Sequence, residues 1–423
     1  MKRYPPFDPP EYVQFRPDPD VQAAWRRTID ADPARRRMLA TLRPAALVRL
    51  YEGMVRFRLH DIALKRWVRQ GVISKAWLGT GEEAVTVGAV HALRKGDLVG
   101  PMIRNAGAAH EMGMPVAAML KAYLGTGDQI TRGRDLHTGD PARGVIPPNS
   151  MMANLVPVFT GIGIALRRRG EPRVALTWVG DGATRTAAFH QGINFAATMK
   201  VPVVFVVQDN RVALGTPTER HTAGDLAALS QAYGVSGLEC DGNNILDVWS
   251  AARLLVDRCR KGDGPAILTA RTFRMGGHAT HDEAEARSLF TPEQFRDWGR
   301  RDPIGTFEAY LIGYGPSLDG TRRTGAALKR ANRSLLEAAE ARVTVEVEAA
   351  AQEALESRQE RMPAPEDAVR DVYAEPGVTG IQSPGATVQA PGARRADAPV
   401  RPRLRGTRPA GKSRPGGGRR RVS

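Results

Sequence analysis

RVALTWVGDGATRTAAFHQGINFAATMKVPVVFVVQDN, residues 173–210, decides the fold. Its two apolar runs, Arg173 to Val179 and Val201 to Val207, are near-continuous and rich in β-branched residues, as strands buried on both faces are. Ala187 to Lys200 between them reads as a helix. The same alternation continues downstream, with a helix over Leu226 to Tyr233 and a short strand over Leu238 to Cys240. A helix over Ile245 to Arg260 and a strand over Pro265 to Phe273 complete it. Strands alternating with helices imply a parallel sheet covered on both faces. The expected fold class is α/β, a doubly wound parallel sheet.

Upstream, the stretch from Pro44 reads as a long amphipathic helix, with Leu47, Leu50, Met54, Phe57 and Leu64 at helical spacing and Gly71 as its stop. GTGEEAVTVGAVHALRKGD, from Gly79, reads as a second helix ended by Lys95-Gly96. The first forty residues, rich in Pro, Asp and Arg, read as an extended arm. Beyond Arg300 the pattern turns helical, and Ala326 to Arg358 suits a bundle or a partner-facing helix pair. The expected organisation is an arm over 1–43, an α/β domain over 44–300, a helical extension over 301–375 and a tail over 376–423.

The chain has 423 residues and a net charge of +16. The last 48 residues hold ten arginines, one lysine and one acid, so they carry +10 of that charge. They also hold seven prolines and nine glycines and no aromatic residue, a composition that cannot bury enough apolar surface to offset chain entropy. The expectation is a disordered basic tail, able to bind RNA, anionic lipid or an acidic partner, or to act only as a solubilising appendage. An ordered nucleic-acid-binding module is not indicated. Two cysteines exclude a disulfide framework. With no apolar run of membrane-spanning length and no secretory or transit signal evident, the expectation is a soluble cytoplasmic protein.

The chemistry is expected where strands end at their carboxyl edge. Gly180-Asp181-Gly182 closes one strand and Gln208-Asp209-Asn210 the next. If these strands are neighbours, Asp181 and Asn210 put side-chain oxygens into one crevice. A hard cation such as Mg²⁺ takes such oxygens together with phosphate and water. The glycines let backbone approach the phosphates, and the helix beginning near Thr186 aims its N-terminus at them. GDG alone also makes ordinary turns; the flanking strand and helix and the terminal Asn210 turn the balance toward a metal-bound diphosphate.

These residues resemble a known family. GDG, a helix, an apolar strand and a terminal Asn at this separation look like the thiamine-diphosphate motif. GINFAATMKVPVVFVVQDN followed by GTPTERHT is similar to the alpha subunit of the decarboxylating component of 2-oxo acid dehydrogenase complexes, nearest the branched-chain and pyruvate members. GEEA (81–84), RNAG (104–107), GRDLH (133–137), RTFRMGGHATHDEAEAR (271–287) and DVYAE (371–375) extend the likeness from about Ala45 to Glu375.

The resemblance implies oxidative decarboxylation of a 2-oxo acid with thiamine diphosphate and Mg²⁺, followed by acyl transfer to a lipoyl group. Asp181, Asn210 and the backbone carbonyl of Val212 would ligate the metal. Gly180, Gly182 and Ala183 would line the diphosphate, and Arg104 and His278 would contact it, with His278 also facing the reaction channel. Ser150 and Met152 would support the folded cofactor. A separate beta subunit would supply the carboxylate that activates the cofactor, giving an α₂β₂ heterotetramer that works with a lipoyl-bearing acyltransferase.

The chain departs from the family pattern at several positions. Ile103 and Val212 stand where tyrosines are usual, Arg185-Thr186-Ala187 follows GDGAT, and Asp209 replaces an asparagine. Gly277 and Ala279 remove a histidine and the serine that regulatory kinases modify in animal relatives. Two alternatives stand beside the main reading: an acetoin dehydrogenase alpha subunit, and a catalytically weakened paralogue acting as a scaffold through its basic tail. His278 and His281 have a spacing that suits zinc, but no cysteine pair or third ligand lies near them. His190 reads as a packed helix residue, Cys240 as a strand core residue and Cys259 as a helix-face residue.

Overall fold

The computed structural model describes residues 3–370. Five strands form one all-parallel sheet in the order β1-β2-β3-β7-β6: β1 (Leu98–Gly100), β2 (Ala175–Gly180), β3 (Val203–Asp209), β7 (Ala266–Arg271) and β6 (Ser236–Asp241). A two-stranded antiparallel hairpin, β4 (Val212–Ala213) and β5 (Thr216–Pro217), follows β3. Every residue of β3 is buried, as its unbroken run of apolar side chains requires. β2 and β3 are neighbours, with Gly180 opposite Gln208. Their polar ends therefore emerge side by side.

Helices cover both faces. Leu155–Arg168 and Ala187–Met199 share one core with Ala175, Val179, Phe205 and Val207. Glu83–His91 and Ile245–Arg260 pack with Leu176, Trp178, Val204 and Val206 on the other face. Asn244 caps the second of these helices by accepting from the Leu246 and Asp247 N–H groups, worth about 1 kcal/mol. A third apolar layer joins the helix Pro44–Arg69 to Val116–Leu124 and to a single 36-residue helix, Gly325–Glu360. The helical stretch after Arg300 is thus mainly one long helix lying on the body of the fold, where the sequence left room for a pair.

The N-terminal segment is helical where an extended arm was expected. Pro19–Ala31 and Pro33–Leu39 each begin with Pro at the first position, after an aspartate that accepts hydrogen bonds from the next turn's N–H groups. Proline is favoured there because its missing N–H would have had no helical partner. Trp25 and Ile29 enter the apolar layer beside Phe307 and Leu336. The expected helix over 226–233 is divided into a 3₁₀ turn, Leu226–Ala228, and one α-turn, Leu229–Ala232. DVYAE and the basic tail lie outside the described residues. Among the described residues no helix is long and apolar enough to cross a membrane.

One buried ionic network ties the N-terminal segment to the helices Pro44–Arg69, Glu83–His91 and Pro303–Ile312. The Arg58 guanidinium bonds Glu83, lies 3.1 Å from Asp302 and 3.9 Å from Asp8, and stacks over the Tyr12 ring at 4.6 Å. Removing one member of such a set leaves an uncompensated buried charge, costing about 3–5 kcal/mol. The network anchors Glu83, and with it the adjacent Glu82.

Candidate active site at the carboxyl edge of the sheet

Asp181 follows β2 directly, and burial pushes its carboxyl above the usual range. Its Oδ2 accepts from the Thr218 hydroxyl at 2.6 Å and its Oδ1 from the Gly182 N–H at 2.8 Å. His221 lies 3.9 Å from Oδ2. Asp209, one step along on β3, is paired with Arg271 at 3.1 Å and adds to the negative potential at Asp181. Asn210 closes an Asx-type turn in which its Oδ1 accepts from the Val212 N–H at 3.4 Å. The residue opposite Val212 in the hairpin is Pro217, which has no N–H to give, and the Thr218 N–H bonds the Arg211 carbonyl instead.

A chain of polar contacts leads from Asn210 across the edge. The Asn210 Nδ2 donates to Glu82 Oε1 at 2.8 Å, and the Gln208 amide donates to the same oxygen. Asn105 in turn donates to Gln208 Oε1 at 3.0 Å. The other Glu82 oxygen is buried without a hydrogen-bond partner, 3.6 Å from the Arg104 guanidinium. Arg104 is itself buried; it donates to the Leu78 carbonyl at 2.8 Å, to the His278 carbonyl at 3.0 Å and to His278 Nδ1 at 3.3 Å. Arg274 completes this side, donating to the Leu214 carbonyl at 2.8 Å.

The electrostatics have two poles. Burial, then repulsion from Arg104, lowers the Arg274 guanidinium to about 10. Burial, then Arg104 and Arg274, lowers His278 to about 4, so its ring is neutral at pH 7. Arg104 and Arg274 thus crowd one side of the edge, with Glu82 between Arg104 and Asn210, while Asp181 and the Arg271-paired Asp209 stand on the other. The oxygens of Asp181, Asn210 and the Val212 carbonyl are hard donors, suited to Mg²⁺ rather than to a soft metal. Among the described residues no three His, Cys, Asp or Glu side chains are grouped as metal ligands.

The glycines have distinct surroundings. A Cβ on Gly180 would meet only Met102 Sδ, at 4.0 Å, so open space lies over the end of β2. A Cβ on Gly182 would fall 2.2 Å from Ala213 Cβ, so Gly182 lets the hairpin close on the GDG turn. Ala183 lies in the following 3₁₀ turn. Thr186, part of the departure Arg185-Thr186-Ala187, caps the next helix by accepting from the Phe189 N–H.

The structure therefore brings Gly180, Asp181, Gly182, Ala183, Asn210 and Val212 together, and links Arg104 and His278 to them through Glu82. Ser150 and Met152 stand apart from that chain of contacts. Both are exposed on the segment leading into Leu155–Arg168, and Ser150 bonds His137. His190 is exposed rather than packed, its ring hydrogen-bonded to the Tyr233 hydroxyl. Cys240 and Cys259 are buried free thiols. Sequence reasoning singled out neither Glu82, Gln208, Thr218 nor Arg274. Their available signal was position: Gln208 is a polar residue ending an apolar strand, and the other three lie inside GEEA, GTPTERHT and RTFRMGGH.

Comparison with known proteins matches residues 51–363 to the family described as Dehydrogenase E1 component. The chain belongs to this family. Among its relatives, the pyruvate dehydrogenase E1 component subunit alpha of Acholeplasma laidlawii is 31% identical over 271 residues, 64% of this chain and 76% of the relative. The mitochondrial 2-oxoisovalerate dehydrogenase subunit alpha of Homo sapiens is 31% identical over 274 residues, 64% of this chain and 61% of the relative. The pyruvate dehydrogenase E1 component subunit alpha of Staphylococcus aureus strain Mu50 is 32% identical over 269 residues, 63% of this chain and 70% of the relative. The E1 match covers the whole sheet, the hairpin and all of the long C-terminal helix.

Proposed function

We propose that this chain is the alpha subunit of a cytoplasmic 2-oxo acid dehydrogenase that binds thiamine diphosphate through Mg²⁺ and acts on a branched-chain 2-oxo acid or pyruvate. The observation that carries the reading is the two-pole edge: buried carboxylates with hard oxygen donors at one end, and crowded guanidiniums at the other. A metal diphosphate has the complementary polarity. Asp181, Asn210 and the Val212 carbonyl would hold Mg²⁺, with Gly180, Gly182 and Ala183 against the phosphates and Arg104 on their oxygens. Ser150 and Met152 would support the cofactor from the rim.

Bound there, thiamine diphosphate supplies the nucleophilic carbon and the electron sink that decarboxylation requires. The chain's own residues orient and polarise. Arg104 donates to His278 Nδ1, which leaves the proton of the neutral ring on Nε2. That N–H is a donor suited to oxygen on which charge develops. Glu82 holds the Asn210 amide so that its oxygen, not its nitrogen, is left for the metal.

The expected partners are a beta subunit in an α₂β₂ heterotetramer and a lipoyl-bearing acyltransferase that receives the acyl group. Exposed Leu214, in the turn of the hairpin that follows Asn210, and exposed Met151 and Met152, on the segment after Ser150, support a covering partner. The test is cofactor-dependent CO₂ release by the chain isolated with its co-purifying partner, over a panel of 2-oxo acids and acetoin. Release that is lost in Asp181→Asn is expected, and the preferred substrate names the enzyme. No release from a complex containing a beta-like subunit would overturn the reading in favour of a scaffold.

A further inference from the structure

Two loops at the rim of the sheet bring a carboxylate, an imidazole and a hydroxyl into line. Asp135 Oδ1 lies 2.7 Å from His137 Nδ1, and His137 Nε2 lies 3.1 Å from Ser150 Oγ. The same Asp135 oxygen accepts from the His137 backbone N–H at 2.9 Å, so the carboxylate is held at two points. An acid on Nδ1 fixes the imidazole tautomer with its proton there, and Nε2 keeps the lone pair that faces the serine hydroxyl. The His137 side chain is 15% exposed, whereas Ser150 is open to solvent. The base is sheltered and the hydroxyl is accessible.

Both arms of this arrangement are tied to the body of the fold. On the Ser150 side, the Ile146 N–H donates to the Val99 carbonyl of β1 at 2.8 Å. On the Asp135 side, the Gly127 N–H donates to the Arg361 carbonyl at 2.6 Å, and Lys121 and Arg361 pair with Asp128 at 2.9 and 3.2 Å. Burial opposes ionisation of Asp135, but its bonds from the His137 backbone and ring outweigh that and hold the carboxyl below its usual range. Exposed Met151 and Met152 follow Ser150 directly, and exposed Ile130 lies on the opposite loop. The side chains next to the serine in sequence are therefore apolar and open.

We propose that Ser150 is an activated nucleophile, with His137 its general base and Asp135 the residue that orients the base, and that it accepts the acyl group of a small apolar ester or thioester. Ser150 Oγ attacks the acyl carbon as its proton passes to His137 Nε2. The bond to the alkoxide or thiolate leaving group then breaks, and that group takes the proton from His137. Water, deprotonated by the same nitrogen, later cleaves the acyl-serine to a carboxylic acid and regenerates the hydroxyl. Ser150 is also the residue proposed to support the folded cofactor, so this acyl transfer belongs to the chain without bound thiamine diphosphate and is tested in its absence.

The test treats the full-length chain with p-nitrophenyl acetate, without thiamine diphosphate or Mg²⁺, and measures acetyl on the Ser150 peptide by mass spectrometry alongside p-nitrophenolate release. The expected result is acetylation of Ser150 that slows about 100-fold or more in His137→Gln, the scale of general-base assistance. In Asp135→Asn it is expected to slow to a smaller extent, and in Ser150→Ala no acetyl appears on that peptide. Both loop variants are checked by circular dichroism and thermal melting, so that slowing in a folded protein counts and slowing in a misfolded one is replaced by the second variant. An unmodified Ser150 in the wild-type chain, or an equal rate in folded His137→Gln, would overturn the proposal.

Discussion

The Nδ2 of Asn210 donates to Glu82 Oε1 at 2.8 Å, across 128 residues of sequence, and this one bond fixes which face of the Asn210 amide looks into the candidate metal site. Glu82 also receives the Gln208 amide and stands 3.6 Å from Arg104. Glu82→Ala would strand two buried amides and a buried guanidinium together. The expected cost is about 3 kcal/mol in urea unfolding, with a 10–100-fold loss of Mg²⁺-thiamine diphosphate affinity by calorimetry. Glu82→Gln keeps an acceptor for Asn210 and should recover much of the affinity while still failing to balance Arg104. Equal affinity in all three proteins would remove Glu82 from the positioning of Asn210.

Asp181→Asn separates metal binding from folding. In the unliganded chain the carboxylate is disfavoured by burial and by Asp209, while an amide oxygen can replace only the Oδ1 that accepts from Gly182, leaving the Thr218 hydroxyl to turn and accept from the amide NH2. Relief of the buried charge and loss of one acceptor oppose each other, so stability without cofactor should change little. Stabilisation by Mg²⁺ and thiamine diphosphate, about 2.7 kcal/mol at a hundredfold excess over Kd for the wild type, should vanish. Thermal melts with and without the cofactor pair read both halves. A retained cofactor shift would place the metal elsewhere.

The strand ends were legible because their signal is local: β2 and β3 are all-apolar runs with polar termini, and neighbouring parallel strands bring such termini into one crevice. The N-terminal helices were misread because Asp18-Pro19 and Asp32-Pro33 look like breakers in a linear reading. In the fold each pair is a cap followed by a favoured first residue. Glu82 escaped notice for a different reason. Its sequence context is a helix start, and only tertiary packing against Gln208 and Asn210 turns an ordinary acidic residue into a buried acceptor. The edge strand β1, three residues long, carries too little pattern to be seen in sequence at all.

Acid should loosen the fold through a pair of buried imidazoles. His60 and His110 pack edge to face with centroids 5.0 Å apart, and neither His110 nitrogen has a hydrogen-bond partner. Burial lowers His60 to about 4, and burial followed by His60 lowers His110 to about 3. Both titrate near 6.5 when unfolded. Below that pH the unfolded chain binds protons that the native chain refuses, so their contribution is lost as pH falls, at up to about 1.4 kcal/mol per pH unit for each ring. Asp61, raised by burial to about 8, and Glu83, raised by burial to about 7, act oppositely, since the native chain keeps protons that the unfolded chain releases. The comparison that isolates the histidine is urea unfolding of wild type and His110→Leu at pH 7.0 and 4.5. The wild-type stability relative to the variant should fall by about 2 kcal/mol over that interval. A difference that does not move with pH would mean the native ring accepts the proton.

Gly182→Ala tests whether the hairpin must close on the GDG turn. The added methyl would meet Ala213 Cβ at 2.2 Å, and both atoms belong to short, rigid segments that cannot swing aside as a long side chain could. Either the GDG turn or the β4–β5 hairpin must shift. Overpacking of this kind costs about 1–3 kcal/mol, and the shift would carry Val212 away from Asn210. The expected result is a modest fall in melting temperature with a disproportionate loss of Mg²⁺-dependent cofactor binding, because the metal would lose its backbone ligand while Asp181 and Asn210 remain. Gly180→Ala is the matched control, since its methyl would meet nothing closer than Met102 Sδ at 4.0 Å. It should leave stability nearly unchanged and reduce cofactor affinity only through the space the phosphates need. If Gly182→Ala weakened stability and binding in proportion, the hairpin would be a passive neighbour of the metal site and Val212 no ligand.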